Sequence, residues 1–225
     1  EQGLIGAEAL ARWQHPRHGL QSPAVFIEVA ERAGLIAELD FQILQQACKL
    51  LVRWAGQAPQ ASLRLAVNLS ARLLYRADFV QRLLQLLDET GANPRLLKLE
   101  LTETLLLDDL PEAVARMQAL KARGIRFSID DFGTGYSSMA YLQKLPLDQL
   151  KIDQSFVRAL PEDASSLAII RAICALAESL DLQVIAEGVE SASQHELLLA
   201  NGCRYFQGYL FGRPMPLEQF EQLPG

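Results

Sequence analysis

Short β-like runs alternate along the chain with stretches whose apolar residues recur at helical spacing. The strand candidates are Leu4–Leu10, Leu63–Leu69, Leu97–Thr102, Ile125–Asp130, Leu150–Ile152, Gln183–Ala186 and Arg204–Gln207. Helices with readable ends lie between them. Ser22 followed by Pro23 offers an N-cap and a favoured first position, and Gly34 ends that helix. A long pattern follows from Leu39 to Trp54. Another helix starts at Asp109 or Leu110, ahead of Pro111, and stops at Gly124, which suits a left-handed C-terminal residue. Ala164 to Leu180 reads as a further long helix, with apolar residues at Leu167, Ile170, Ile173, Cys174 and Ala177.

Strands that alternate with helices pair in parallel through right-handed crossovers. Two architectures compete, an open doubly wound sheet and a closed barrel. The positions of the polar residues separate them. A residue able to bind metal or handle protons sits near the C-terminal end of almost every strand candidate: Glu8, Asn68, Glu100, Asp130 with Asp131, Lys151 with Asp153, Glu187 and Gln207. An open sheet draws its site from two or three strands at one switch point, whereas a barrel draws on many. Seven contributing strands point to the barrel.

Composition narrows this only slightly. With 225 residues, half of them hydrophobic and 21% charged, the chain is long enough for a real core and unsuited to disorder. The net charge of −6 argues against a binder of polymeric nucleic acid, but not against a small anion, because bound metals reverse the local sign. Cys48, Cys174 and Cys203 lie far apart without a CxxC, which suits buried thiols in a reducing compartment. No apolar run reaches membrane-spanning length, so no membrane contact is expected of this domain and a cytoplasmic location is. The chain opens at Glu1 without an initiator Met and reads as a piece of something longer, whose other segments could carry an anchor.

The chemistry lies in the excess of oxygen ligands. Glu8, Asn68, Glu100, Asp130, Asp131 and Glu187 offer carboxylate or amide oxygens, which suit Mg²⁺ or Mn²⁺. The histidines stay outside this set: His15 and His18 lie in a loop and His195 in a late helix with no evident partner, so all three are expected to be solvated. A single Asp at a strand end is most often a helix cap. Many carboxylates at one mouth repel one another without cations, and two metals about 3.5–4 Å apart would relieve that repulsion and suit in-line phosphoryl displacement. The run from Asp130 through Phe132, Gly133, Thr134, Gly135 and Tyr136 to Ser138 reads as a strand end followed by a Gly-rich loop able to approach a phosphate or move over the site. Lys151 and Asp153 alternate and so project to one side of their strand. Arg12 stands where a guanidinium could grip a phosphate oxygen.

Taken together these residues resemble the EAL family. Glu8-Ala9-Leu10 running on to Arg12 and Trp13, Asn68-Leu69-Ser70, Leu99 to Glu103, Asp130 to Gly135, Lys151-Ile152-Asp153, Glu187 to Glu190 and Gln207-Gly208-Tyr209 follow the family's order from residue 4 to about 217. The resemblance implies a modified TIM-type (β/α)8 barrel, a single EAL domain over 1–225, truncated at its N-terminus and excised from a multidomain signalling protein that carries a sensory or GGDEF domain. The activity it implies is hydrolysis of cyclic di-GMP to the linear dinucleotide with two Mg²⁺ or Mn²⁺, Ca²⁺ being inhibitory. Glu8, Asn68, Glu100 and Asp130 would ligate metal, with Asp131 and Glu187 at or near the second ion. Lys151, with Asp153 beside it, would orient or deprotonate the attacking water, a task the resemblance leaves open between Lys151, Glu187 and the metals. Arg12 would contact the phosphate, Gln207 and Glu190 would complete the pocket, and Glu103 would hold the Gly133-Thr134-Gly135 loop. Similar domains form homodimers around that loop. One departure is plain: the family's first strand is absent here, leaving seven strand candidates where a barrel takes eight.

Two other readings remain at this stage. A receptor that binds cyclic di-GMP without cutting it shares the residues, although such relatives usually lose the first Glu, the paired aspartates or the Lys. A metal-dependent barrel enzyme that abstracts a proton beside a carboxylate would share the acidic strand ends and Lys151, but leaves Asp131 and the Gly-rich loop without a purpose.

Overall fold

The computed structural model describes residues 3–103, 109–135 and 139–223. Tyr136, Ser137 and Ser138 of the Gly-rich loop lie outside the described residues. The chain divides into two compact units, one of Glu1–Glu100, Pro111–Arg126 and Pro216–Gly225, the other of Leu101–Leu110 and Phe127–Met215.

The first unit is built on parallel strands β1 (Gly6–Ala9), β4 (Arg64–Asn68) and β5 (Leu97–Thr102, whose last two residues belong to the second unit). Between β1 and β4 come an antiparallel hairpin, β2 (Trp13–His15) and β3 (Gly19–Gln21), and two helices, α1 (Pro23–Arg32) and α2 (Ile36–Trp54). α2 turns Phe41, Leu44, Cys48, Leu51 and Trp54 inward at helical spacing. After β4 follow α3 (Ala71–Leu74) and α4 (Phe79–Thr90), and after β5 comes α5 (Leu110–Lys121). The core of this unit also takes in strand residues Leu65, Val67, Leu97 and Leu99, all almost fully enclosed. A last short helix, Leu217–Phe220, sends the chain back so that Trp54 Nε1 donates to Glu221 Oε1 at 2.8 Å.

The second unit holds parallel strands β6 (Arg126–Phe132, from Phe127 onward), β7 (Gln149–Ile152), β8 (Gln183–Ala186) and β9 (Tyr205–Phe206). The connections carry α6 (Met139–Leu142), α7 (Gln154–Arg158), α8 (Ala164–Ser179) and α9 (Ala192–Ala200). Caps fix the helix starts. Asp163 accepts the Ser165 and Ser166 amides ahead of α8, and Ser191 and Gln194 form a reciprocal capping box at α9. Every residue of β7 is buried, so Leu150 and Ile152 fill one side while Gln149 and Lys151 are enclosed on the other.

Among the described residues there are thus seven parallel strands, three in one unit and four in the other, and each of the seven candidates overlaps one of them. The boundaries differ in instructive ways. β6 runs two residues past the expected Asp130 because the chain continues to pair through Phe132. Asp153 is not on the strand with Lys151: it caps α7, where its carboxylate accepts the Ser155 amide at 2.9 Å and also the Ser155 hydroxyl. Ser22 occupies the N-cap of α1 without a side-chain cap bond, and Pro23 does take the first helical turn. Gly34 and Gly124 adopt the left-handed backbone expected of helix stops, at φ 73° and 100°.

Gly6 lies so close to β4 that an added Cβ would sit 2.5 Å from the Arg64 carbonyl oxygen. Gly6→Ala should cost about 1–3 kcal/mol in urea unfolding, the usual cost of forcing extra bulk into a packed element. Gly56→Ala, where an added Cβ meets nothing within 4 Å, should leave the midpoint unchanged or slightly raised. Equal effects at the two sites would contradict this packing of β1 on β4.

Candidate active site

In the first unit the strand ends carry Glu8, Asn68 and Glu100. β4 and β5 pair in parallel with Asn68 opposite Glu100, and Glu8 on β1 lies opposite Ala66 on β4. Asn68 Nδ2 donates to Glu8 Oε1 at 2.8 Å. Asn68 is exposed and Glu8 half-buried, whereas Glu100 is only 2% exposed. A carboxylate so enclosed needs a countercharge, and Lys98 Nζ provides one at 2.9 Å from Glu100 Oε1. Lys98 was not among the residues marked in the sequence. Its two-residue spacing from Glu100, which puts both on one face of a strand, was the available signal. Arg12 is exposed and donates to the Ala11 carbonyl at 2.8 Å.

In the second unit the backbone brings two adjacent aspartates to one place. Successive strand residues normally point to opposite faces. The β6–β7 register pairs Ile129 with Leu150 and then Phe132 with Ile152, so Asp130 and Asp131 together face the single residue Lys151. This bulge, with Asp131 at φ 53°, breaks the alternation. One carboxylate oxygen from each of Asp130, Asp131 and Glu187 then lies within 4.8 Å of the others. Glu187 arrives at the end of β8, its amide bonded to the Ile152 carbonyl at 3.2 Å.

Lys151 balances this negative charge. Its side chain is 1% exposed, with Nζ 2.6 Å from Glu187 Oε1 and 3.1 Å from Asp130 Oδ1. Asp131 titrates unusually: burial, then the charge of Asp130, then a hydrogen bond with Asp153 raise its carboxyl to about 6. Burial pushes Asp153 up too, but the bonds from Ser155 outweigh it and hold Asp153 below the ordinary range. The all-oxygen donor set and its close spacing fit a hard divalent cation such as Mg²⁺ or Mn²⁺, held by Asp130, Asp131 and Glu187.

The loop after Asp131 is shaped by what it passes. Thr134 Oγ1 donates to the Asp131 carbonyl at 2.9 Å. A Cβ on Gly133, at φ 101°, would press on Phe156 and Ile173, and one on Gly135 would fall 2.6 Å from Glu103 Oε1. Glu103 is buried, and its two carboxylate oxygens have no hydrogen-bond partner among the described residues. Gln207 lies at the end of β9, with its amide on the Ala186 carbonyl at 2.8 Å and its own carbonyl accepting from Val189 at 3.1 Å. Glu190 is exposed, 4.0 Å from Arg158 Nε. His195 departs from expectation: its ring meets Phe206 edge-on at 4.4 Å, so it packs against aromatics rather than standing in solvent. His15 Nδ1 accepts the Arg17 and His18 amides, which makes it a turn-former.

Comparison with known proteins bears on this arrangement. The EAL domain family model matches residues 1–214. Among curated relatives from Pseudomonas aeruginosa, the bifunctional diguanylate cyclase/cyclic di-GMP phosphodiesterase MucR is 43% identical over 216 residues, covering 96% of this chain and 31% of its own length. The cyclic di-GMP phosphodiesterase NbdA is 44% identical over 96% of this chain and 27% of its own. The chain therefore spans about a third or less of these two relatives. A solved structure of the PaMucR phosphodiesterase in complex with c-di-GMP is 43% identical, with a TM-score of 0.92 over 97% of this chain and 88% of that one. That likeness carries the expected fold class, the α/β barrel of EAL domains.

The raised value of Asp131 has a consequence for stability. Because the folded state holds this proton more tightly than the unfolded chain, the stabilisation is complete below about 4, the ordinary Asp value, and is lost as pH rises through about 6. In metal-free urea unfolding, Asp131→Asn should therefore gain stability relative to the wild type between pH 4 and pH 7. A difference that stays constant over that range would contradict the crowding of Asp131 by Asp130 and Asp153.

Proposed function

The chain belongs to the EAL domain family, and on that premise we propose that it hydrolyses one phosphodiester bond of cyclic di-GMP to give the linear dinucleotide 5′-pGpG. The observation that carries this reading is the convergence of Asp130, Asp131 and Glu187 around a buried Lys151. The relatives named for this phosphodiesterase activity support it.

The reaction adds water to one phosphorus and breaks its bond to the ribose O3′, which leaves a 5′-phosphate and a free 3′-hydroxyl. The candidate ligands are Asp130, Asp131 and Glu187 in the second unit and Glu8, Asn68 and Glu100 in the first; two Mg²⁺ or Mn²⁺, when bound, would supply Lewis-acid polarisation of the phosphate and activation of water. Lys151, kept in place by Asp130 and Glu187, donates a hydrogen bond that orients the attacking water. Asp153 steadies Asp131 through the hydrogen bond between their side chains. The exposed Arg12 guanidinium is free to turn from its own backbone toward a phosphate oxygen. Gln207 and Glu190 complete the pocket, and Glu103 sets the path of the Gly133-Thr134-Gly135 loop. Ca²⁺, which prefers more ligands at longer distances, would occupy the carboxylates unproductively.

The same reading places the domain in the cytoplasm, as a homodimer within a longer signalling protein that carries a sensory or GGDEF domain. No helix among the described residues is long and apolar enough to cross a membrane.

The direct test is incubation with cyclic di-GMP and Mg²⁺ or Mn²⁺, with chromatographic separation of the products. Linear dinucleotide should accumulate, and Glu8→Ala and Glu187→Gln should each slow its formation by about 10²–10⁴-fold, the range for loss of one proton-handling or electrostatic group. Tight binding of the cyclic dinucleotide without turnover would replace this reading by that of a receptor.

A further inference from the structure

α2 presents an apolar face to the first unit, and one position on that face is a carboxylate. Asp40 is 5% exposed and stands among Ile36, Ala37, Phe41 and Leu44. No salt bridge involves it among the described residues, and burial raises its carboxyl above the ordinary range. A buried carboxylate in such company costs stability unless it satisfies something that an apolar side chain could not. Asp40 Oδ2 accepts the backbone N–H of Ser70 at 2.9 Å.

Ser70 is the second residue after Asn68, in the turn that joins β4 to α3. That turn is held at each residue. Asn68 closes β4 opposite Glu100, and its side chain reaches Glu8 Oε1. The Leu69 amide donates to the Glu100 carbonyl at 2.9 Å. The Ser70 hydroxyl caps α3 by accepting from the Leu73 amide, which leaves the Ser70 amide to be satisfied from outside the turn. Asp40 is the group that meets it. The carboxylate therefore fixes the far end of a three-residue turn whose near end carries a candidate ligand, and it does so from the second turn of a 19-residue helix.

We propose that Asp40 is a positioning residue for Asn68: by holding the Ser70 amide it keeps the Asn68 side chain aimed so that its amide oxygen is available to a divalent cation. The inference rests on the metal-binding reading of Asn68, and it assigns a role to a residue outside all the strand ends. Supporting groups of this kind typically change metal affinity by about 10–100-fold when removed.

Two near-isosteric variants separate positioning from simple packing. Asp40→Asn keeps an oxygen that accepts the Ser70 amide. Asp40→Leu fills the same apolar surroundings but leaves that half-buried amide without its carboxylate partner. The readouts are thermal unfolding, hydrogen exchange at the Asn68–Ser70 amides, and Mn²⁺ uptake followed by electron paramagnetic resonance, none of which needs substrate. Asp40→Asn should match the wild type in Mn²⁺ affinity within about twofold. Asp40→Leu should melt within a few degrees of the wild type or higher, exchange the Ser70 amide faster and bind Mn²⁺ about tenfold more weakly. Normal uptake by the wild type with equal affinity in Asp40→Leu would overturn the inference alone, as would an Asp40→Asn variant impaired as much as Asp40→Leu. A wild type that takes up no Mn²⁺ would overturn it together with the metal reading on which it rests.

Discussion

Three carboxylates cannot stay ionised within 4.8 Å of one another unless positive charge is brought among them, and the structure brings Lys151. Two of its bonds reach Asp130 and Glu187, while Asp131 keeps its proton up to about pH 6. An ammonium on a four-carbon stem, enclosed on a fully buried strand, is a countercharge that the fold cannot easily discard. The local features of this region follow from that balance. β6 bulges so that both aspartates face Lys151, Asp131 accepts a left-handed backbone, and the loop beyond it turns through glycines where side chains would strike Phe156, Ile173 or Glu103.

The first unit solves a smaller version of the same problem. Glu100 is enclosed at the end of β5 and has Lys98 two residues earlier on the same face. Glu8 is met by the amide of Asn68, a neutral donor that leaves its own oxygen available. In both units the acidic groups stand at the C-terminal ends of parallel strands, where chemistry can be varied without disturbing the apolar residues that hold the strands together. Packing and charge thus occupy alternate positions of one strand: Leu150 and Ile152 pack, while Lys151 between them carries charge.

Much of this was legible from the chain alone, for a definite reason. A polar residue that ends an apolar run stands out against its surroundings, so Glu8, Asn68, Glu100, Asp130, Lys151 and Glu187 were recognisable together with the strands that present them. What was not legible depends on contacts distant in sequence or on a local break in periodicity. The bulge at Asp130–Asp131 obeys no simple repeat, and Asp153 looked like a strand residue because its capping of α7 is known only once the helix start is known. His195 looked solvated because Phe206, which covers it, comes 11 positions later. α4, by contrast, shows its helical period openly in the apolar stripe Phe79, Leu83, Leu86 and Leu87. Asp40 is hidden among apolar neighbours and gains meaning only from an amide 30 residues away.

Anomalous diffraction from crystals soaked in Mn²⁺ would address the carboxylate cluster most directly. A peak is expected within coordination distance of Asp130, Asp131 and Glu187, with the Lys151 ammonium still paired to at least one of them. Crystals that show these side chains ordered, soaked at millimolar Mn²⁺ and lacking any anomalous density there, would contradict the view that this cluster is built to hold a divalent cation.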